Sequence, residues 1–339
     1  MSVHRSMTLF FLSTLIPLFT LPSYAGCLQT RAALDIGSGS SKIAVADVDI
    51  CRHQIMKMRY QQQIAVPYND ALMHSADNRL PQAVIQQGLS ALQTEMKNIR
   101  RFHPVSVSGV ATAVFRSAKN GPQTIDWLNQ QTGAGIKIIS QEQEALLGFA
   151  SAKASLHQPD IQDEDILVWD IGGASMQMTT WTEEQGKKVP HIYLGKLASV
   201  TLKNYIVSLL KNQSLTADSS PNPVGNYADS ALKFVRFYAS NDVDSAMKRM
   251  ISGKKVLGIG GVHDYSLRDQ LPGKPNSYTL QQLTILAKQQ VNKDDSQLKG
   301  DYRATDVSNL LLVQGYMQAL QIPAVTIVRA SLVEGELVR

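Results

Sequence analysis

A chain of 339 residues, 44% apolar and 18% charged, is composed as an ordinary globular protein with apolar material for about two cores. The formal charge of +5 is modest and spread out; it favours a polyanionic ligand without revealing one. With no aromatic–basic interleaving and no zinc spacing, a nucleic-acid module is excluded.

His4 and Arg5 precede an apolar stretch, 9–21, and then Ser23-Tyr24-Ala25. That pattern predicts a secretory signal over 1–25, cleaved after Ala25, and an exported, periplasmic protein. No later stretch is long and apolar enough to span a bilayer. Strands are expected at 32–36, 42–48 and 55–66, then a helix over 81–101 with Pro81 at its first position. Strand 105–111, helix 123–131, strand 136–139 and helix 142–156 complete a mixed sheet with crossover helices. The polar connector from Gln158 to Asp165 divides a first lobe, 26–157, from a second, 158–339. In the second lobe strands are expected at 166–171, 176–181, 189–194, 255–259 and 324–328. Helices are expected at 198–210, 229–238, 242–251, 280–291, 307–320 and 332–339, and an exposed loop at 212–226.

One phrase occurs twice: Leu34-Asp35-Ile36-Gly37-Ser38-Gly39-Ser40-Ser41 and Trp169-Asp170-Ile171-Gly172-Gly173-Ala174-Ser175. Each copy joins two apolar runs, so each reads as a hairpin with an aspartate ending its first strand. Glycine admits close approach of the backbone, and serine adds hydroxyl donors. Successive turn N–H groups make a concave nest for a phosphate, and the aspartate offers an oxygen to a divalent cation bridging to it. Two such turns point to two related lobes clasping one phosphoryl group. Gly260-Gly261 supplies a third glycine turn.

The two cysteines, Cys27 and Cys51, stand 12 residues either side of Gly39, which places them opposite one another across the hairpin. A disulfide closing this loop contributes roughly 3 kcal/mol in the chain-entropy model. The competing reading makes Cys27 a lipid-modified N-terminus. Tyr24 is a poor lipobox residue and lipidation leaves Cys51 unpaired, so the disulfide is favoured.

These residues resemble the exopolyphosphatase and guanosine pentaphosphate phosphohydrolase family. The resemblance rests on Asp35-Ile36-Gly37-Ser38-Gly39-Ser40, Ala111-Thr112-Ala113-Val114-Phe115-Arg116, Ile139-Ser140-Gln141-Glu142-Gln143-Glu144-Ala145, Asp170-Ile171-Gly172-Gly173-Ala174-Ser175-Met176-Gln177, Gly258-Ile259-Gly260-Gly261, and Ala330-Ser331 to Glu334-Gly335. It implies an α/β fold of two duplicated actin-like (ribonuclease H-like) lobes with mixed sheets and an interlobe cleft. It also implies a member without the helical extension of longer relatives.

By the same resemblance Glu144 is the general base, and Arg116 reaches the phosphate. Asp170 holds Mg²⁺ or another divalent cation, with Asp35 in support. Gly37, Ser38, Gly39, Ser40, Ser41, Gly172, Gly173, Ala174, Ser175, Gly260 and Gly261 bind phosphate. The expected activity is release of terminal phosphate from inorganic polyphosphate or a related phosphoanhydride. Export argues against intracellular guanosine pentaphosphate. Gln143 and Gln177 replace family glutamates, Gly39 an asparagine, and Ala174, Met176 and Val262 stand where the family has other residues. These departures motivate an alternative, a non-catalytic polyphosphate or phospholigand binder of the same fold. An ATP-using kinase is a weaker third reading. The oligomeric state is left open, a homodimer included.

Overall fold

The structure is a computed structural model that describes residues 26–156, 158, 160–216, 218–299 and 302–339. The expected signal segment, 1–25, lies outside the described residues. The first sheet contains β1 (Leu28–Ile36), β2 (Ser40–Asp49), β3 (Gln54–Ala65), β4 (Ser106–Ala111) and β5 (Ile136–Ile138), in the order β3-β2-β1-β4-β5. The second contains β6 (Ile166–Ile171), β7 (Met176–Glu184), β8 (Lys187–Gly195), β9 (Lys255–Ile259), β10 (Ser277–Thr279) and β11 (Ala324–Ile327), in the order β10-β11-β9-β6-β7-β8.

In each sheet a hairpin continues into a third antiparallel strand, while the hairpin's first strand pairs in parallel with a later one. β1 to β4 therefore repeat as β6 to β9. This duplicated α/β architecture is the one the sequence implies.

β1 and β2 are apolar on both faces because helices cover both sides of their sheet. Leu34, Ile36, Ile43 and Val45 pack with Leu89, Leu92 and Met96 of the helix Gln82–Arg100. The opposite face is lined with small residues: Ala33, Ala44 and Ala46, with Val48, receive Val333, Leu337 and Val338 of the helix Leu332–Val338. The last helix of the chain thus lies on the first sheet. It also packs on the helix Gln141–Ser155, which reaches in turn to the second sheet, where Thr179 Oγ1 donates to Ala145 O at 3.3 Å. A Cβ on Gly335 would meet Leu147 O at 2.5 Å, so this crossing needs glycine.

Several expectations shift in detail. Pro81 caps its helix from outside, with extended backbone, rather than occupying the first helical position. The helix expected at 198–210 is α-helical over Ser199–Tyr205 and continues as a π-helix, Ile206–Leu210. The first hairpin turns half a residue earlier than Gly39, pairing Ile36 with Ser41, so Cys27 faces Ile50 rather than Cys51. The Cys27–Cys51 disulfide nonetheless forms across a Cα–Cα separation of 5.5 Å. Among the described residues no helix is long and apolar enough to cross a membrane.

Candidate active site

The two repeated turns face each other. A Cβ built on Gly173 would lie 3.9 Å from Ser38 Cβ, so the turns approach to van der Waals contact across the cleft. Their internal geometry matches: Gly37 N donates to Ser40 O and Gly172 N to Ser175 O, both at 2.9 Å. The helix Ser199–Tyr205 steadies the second turn, Val200 N donating to Gly173 O at 2.8 Å.

Between the lobes lies a cavity of about 710 Å³. Its wall includes Gly37, Ser38, Gly39, Ser40, Gly172, Gly173, Ala174, Ser175, Gly260 and Gly261, together with Asp35, Glu144 and Asp170. Ser41 is the exception in the first turn. It is fully buried in β2 and off this wall, because strand alternation sends Ser40 and Lys42 to the cleft and Ser41 away.

Each aspartate closes its strand one residue before the last ladder pair: Asp35 opposite Lys42, Asp170 opposite Gln177. Asp35 is only 6% exposed, with its carboxylate 3.9 Å from Lys42 Nζ. Burial pushes the Asp35 carboxyl up, and Lys42 opposes that rise. Asp170 is pushed up to about 7, first by burial, then by the Glu144 charge, with Lys42 pulling back and Asp35 adding to the rise.

Gly260 makes room for this carboxylate. It sits at φ +84, and a Cβ there would lie 2.4 Å from Asp170 Oδ1. Only glycine meets both demands.

Glu144 occupies the first turn of the helix Gln141–Ser155 and is 8% exposed. Burial raises its pKa and Arg116 opposes the rise. Arg116 Nη1 lies 2.8 Å from Glu144 Oε2 but hydrogen-bonds Ile139 O at 2.9 Å. The guanidinium therefore holds the buried Oε2 and favours the ionised carboxylate. Arg116 itself is not on the cavity wall. It stands behind Glu144, while Thr112 and Ala113 of the same motif line the cleft.

Two cations escaped the sequence reading. Lys42 lies within the cleft, and despite burial its ammonium form is favoured by Asp35, then Asp170, then Glu334. Its signal was available, since a lysine in an apolar strand faces Asp35 once the hairpin is drawn. Lys203, 7% exposed, lines the same cavity and pairs with no carboxylate among the described residues. Nothing local marks it, for it is one surface-type residue of a short helix.

Gln143 has a structural task. Its Oε1 accepts from Ser140 N at 2.9 Å and Ser140 Oγ accepts from Gln143 N at 3.2 Å, a capping box that glutamine fills as well as glutamate. It is off the cavity wall, so the change there removes no ligand from the cleft. Gln177, 2% exposed, bonds Ser175 Oγ through Nε2 at 3.4 Å.

A sequence model of the Ppx/GppA phosphatase family matches residues 69–339. The chain belongs to the Ppx/GppA phosphatase family. The fold is shared with solved structures at low sequence identity. The Aquifex aeolicus Ppx/GppA family member is 16% identical at a TM-score of 0.70, covering 92% of this chain and 97% of that one. An exopolyphosphatase from Cytophaga hutchinsonii is 16% identical at a TM-score of 0.67, covering 91% and 96%. An exopolyphosphatase-like protein is 14% identical at a TM-score of 0.71, covering 92% and 97%. The family match begins at Asn69, whereas the structural likeness extends into the first hairpin's lobe.

The hard, anionic oxygens of Asp35 and Asp170 fit a divalent cation. The Asp170 carboxyl, raised by burial and then by the Glu144 charge, is where such an ion would relieve excess negative charge. Oxygens of Asp35, Asp170 and Glu144 do not all fall within 4.8 Å of one another. Among the described residues only Cys27, Asp49 and Cys51 meet the tighter criterion, and their sulfurs are spent in the disulfide.

Proposed function

We propose that this chain is an exported phosphohydrolase that releases terminal phosphate from inorganic polyphosphate or a related phosphoanhydride. The observation that carries this reading is the pair of glycine-serine turns meeting across a cleft that also holds Asp35, Asp170 and Glu144. The turn N–H groups cradle the end of the chain, and Lys42 and Lys203 offset its charge. Asp170 and Asp35 would hold a divalent cation, which would supply charge neutralisation on the phosphoryl oxygens. Glu144 takes a proton from the attacking water, and Arg116, 2.8 Å from its Oε2, favours the ionised carboxylate and holds it in place. Family membership and the fold of its exopolyphosphatase neighbours support the reaction class. The disulfide agrees with an oxidising compartment, and so with export.

Orthophosphate release from polyphosphate, nucleotides and phosphomonoesters, measured across a metal panel, tests the proposal. Polyphosphate should be cut, and Glu144→Gln should lower the rate roughly 10²–10⁴-fold with the fold intact. Equal release by wild type and variant refutes the assignment. One observation favours the second reading, a non-catalytic binder: Gln177, directly across from Asp170, offers only a neutral amide. Tight polyphosphate binding with no turnover under every metal would select it.

A further inference from the structure

The carboxylates of the cleft do not share their cations evenly. Arg116 is spent on Glu144, 2.8 Å away. Lys42 is divided among the others. Its Nζ lies 3.9 Å from Asp35 Oδ2, on the strand directly opposite. Burial works against the Lys42 ammonium, yet Asp35, then Asp170, then Glu334 outweigh it. Glu334 has partners besides: its Oε2 accepts from Ser331 N at 2.7 Å and from Ser331 Oγ at 3.0 Å, and its Oε1 from Gln61 Nε2 at 3.2 Å. Asp35 and Asp170 have no such donors among the described side chains, and Lys42 is the cation both of them feel.

Among the described residues Lys42 Nζ makes no hydrogen bond to protein; charge alone holds it in place. It therefore does for Asp35 and Asp170 part of what a bound ion does. Unlike an ion it is tethered to β2, so it is always there and pays no cost of association. A divalent cation arriving at the same two carboxylates meets a positive charge already in place. In a cleft of low dielectric that repulsion is strong.

We propose that Lys42 is a built-in competitor of the divalent cation, so that Asp35 and Asp170 hold the ion more loosely than the two carboxylates alone would. The proposal rests on the reading of these aspartates as the cation's ligands. It makes Lys42 a positioning residue for charge, and it predicts an unusual sign: removing a lysine that lines the cleft should tighten the ion rather than release it.

Mn²⁺ is titrated calorimetrically into wild type, Lys42→Met and Lys42→Arg without substrate, with circular dichroism as the check on folding. Methionine keeps the apolar stem and removes the charge; arginine keeps the charge. Lys42→Met should bind Mn²⁺ roughly tenfold or more tighter than wild type, and Lys42→Arg about as wild type does. Lost packing alone would weaken the ion in the variants, so the sign separates a charge from a scaffold. Unchanged or weaker affinity in Lys42→Met overturns the proposal, as does equal tightening in Lys42→Arg. Mn²⁺ bound by neither wild type nor Lys42→Met removes the cation from the aspartates, and the proposal with it. Turnover is measured separately on polyphosphate. Should wild type hydrolyse nothing while Lys42→Met still tightens the ion, the role of Lys42 stands and the hydrolase reading falls; hydrolysis with equal affinities does the reverse.

Discussion

Replacing Gly260 with alanine tests how the cleft is built, because its effect follows from one backbone angle and one distance. The residue holds φ +84, and a non-glycine residue there costs about 1–2 kcal/mol. The new methyl would begin 2.4 Å from Asp170 Oδ1. Regaining ordinary contact needs roughly 1 Å of movement. Asp170 is half-buried, and Ile171 O stands 3.2 Å from the same Cβ, so the carboxylate must turn out of its place in the cleft to make way. Overpacking of this kind adds about 1–3 kcal/mol. Gly260→Ala should therefore lose about 2–5 kcal/mol in urea unfolding. If Asp170 holds the cation as proposed, a misplacement of this size should also lower phosphate release about 10²-fold. Gly261→Ala, with nothing within 4 Å of its Cβ, should change stability by less than about 0.5 kcal/mol. If Gly260→Ala unfolds like wild type and turns over at the wild-type rate, the account of the Asp170 pocket is wrong.

The Asp170 carboxyl is raised from 3.8 to about 7, so its contribution to stability is present below about 4 and lost as pH rises through 7. Asp170→Asn should then melt higher than wild type in metal-free buffer at pH 8, and Mg²⁺ should narrow the gap. Arg116→Met removes the charge that opposes the rise at Glu144, so the acid limb of the pH–rate profile should move to higher pH; an unmoved limb would detach Arg116 from the base. Cys51→Ser should lower stability by about 3 kcal/mol without altering divalent-cation affinity, as thermal melting and calorimetry would show.

How much of this was readable in advance follows from how local each feature is. The turns, their aspartates and the strands beside them announce themselves within ten residues, and so does the capping box that absorbs Gln143. The pairing of Arg116 with Glu144 is different. They lie 28 positions apart on separate elements, and only the parallel pairing of β4 with β5, which sets the short helix Ala113–Ser117 beside the start of the helix Gln141–Ser155, brings guanidinium and carboxylate together. Ser41 was placed on the wrong face because a turn motif was read as a unit, although the two-residue period of β2 already separates it from its neighbours. Lys203 lay beyond reach: its burial depends on the cleft, which exists only once both lobes are folded.

The exchange of helices between the lobes has a mechanical result. Both strands of covalent connection run through one place, where Gly335 crosses Leu147 and Ser151. Glu144 is carried by one of the two crossing helices, so the contact that joins the two sheets also fixes where this carboxylate stands against Asp170.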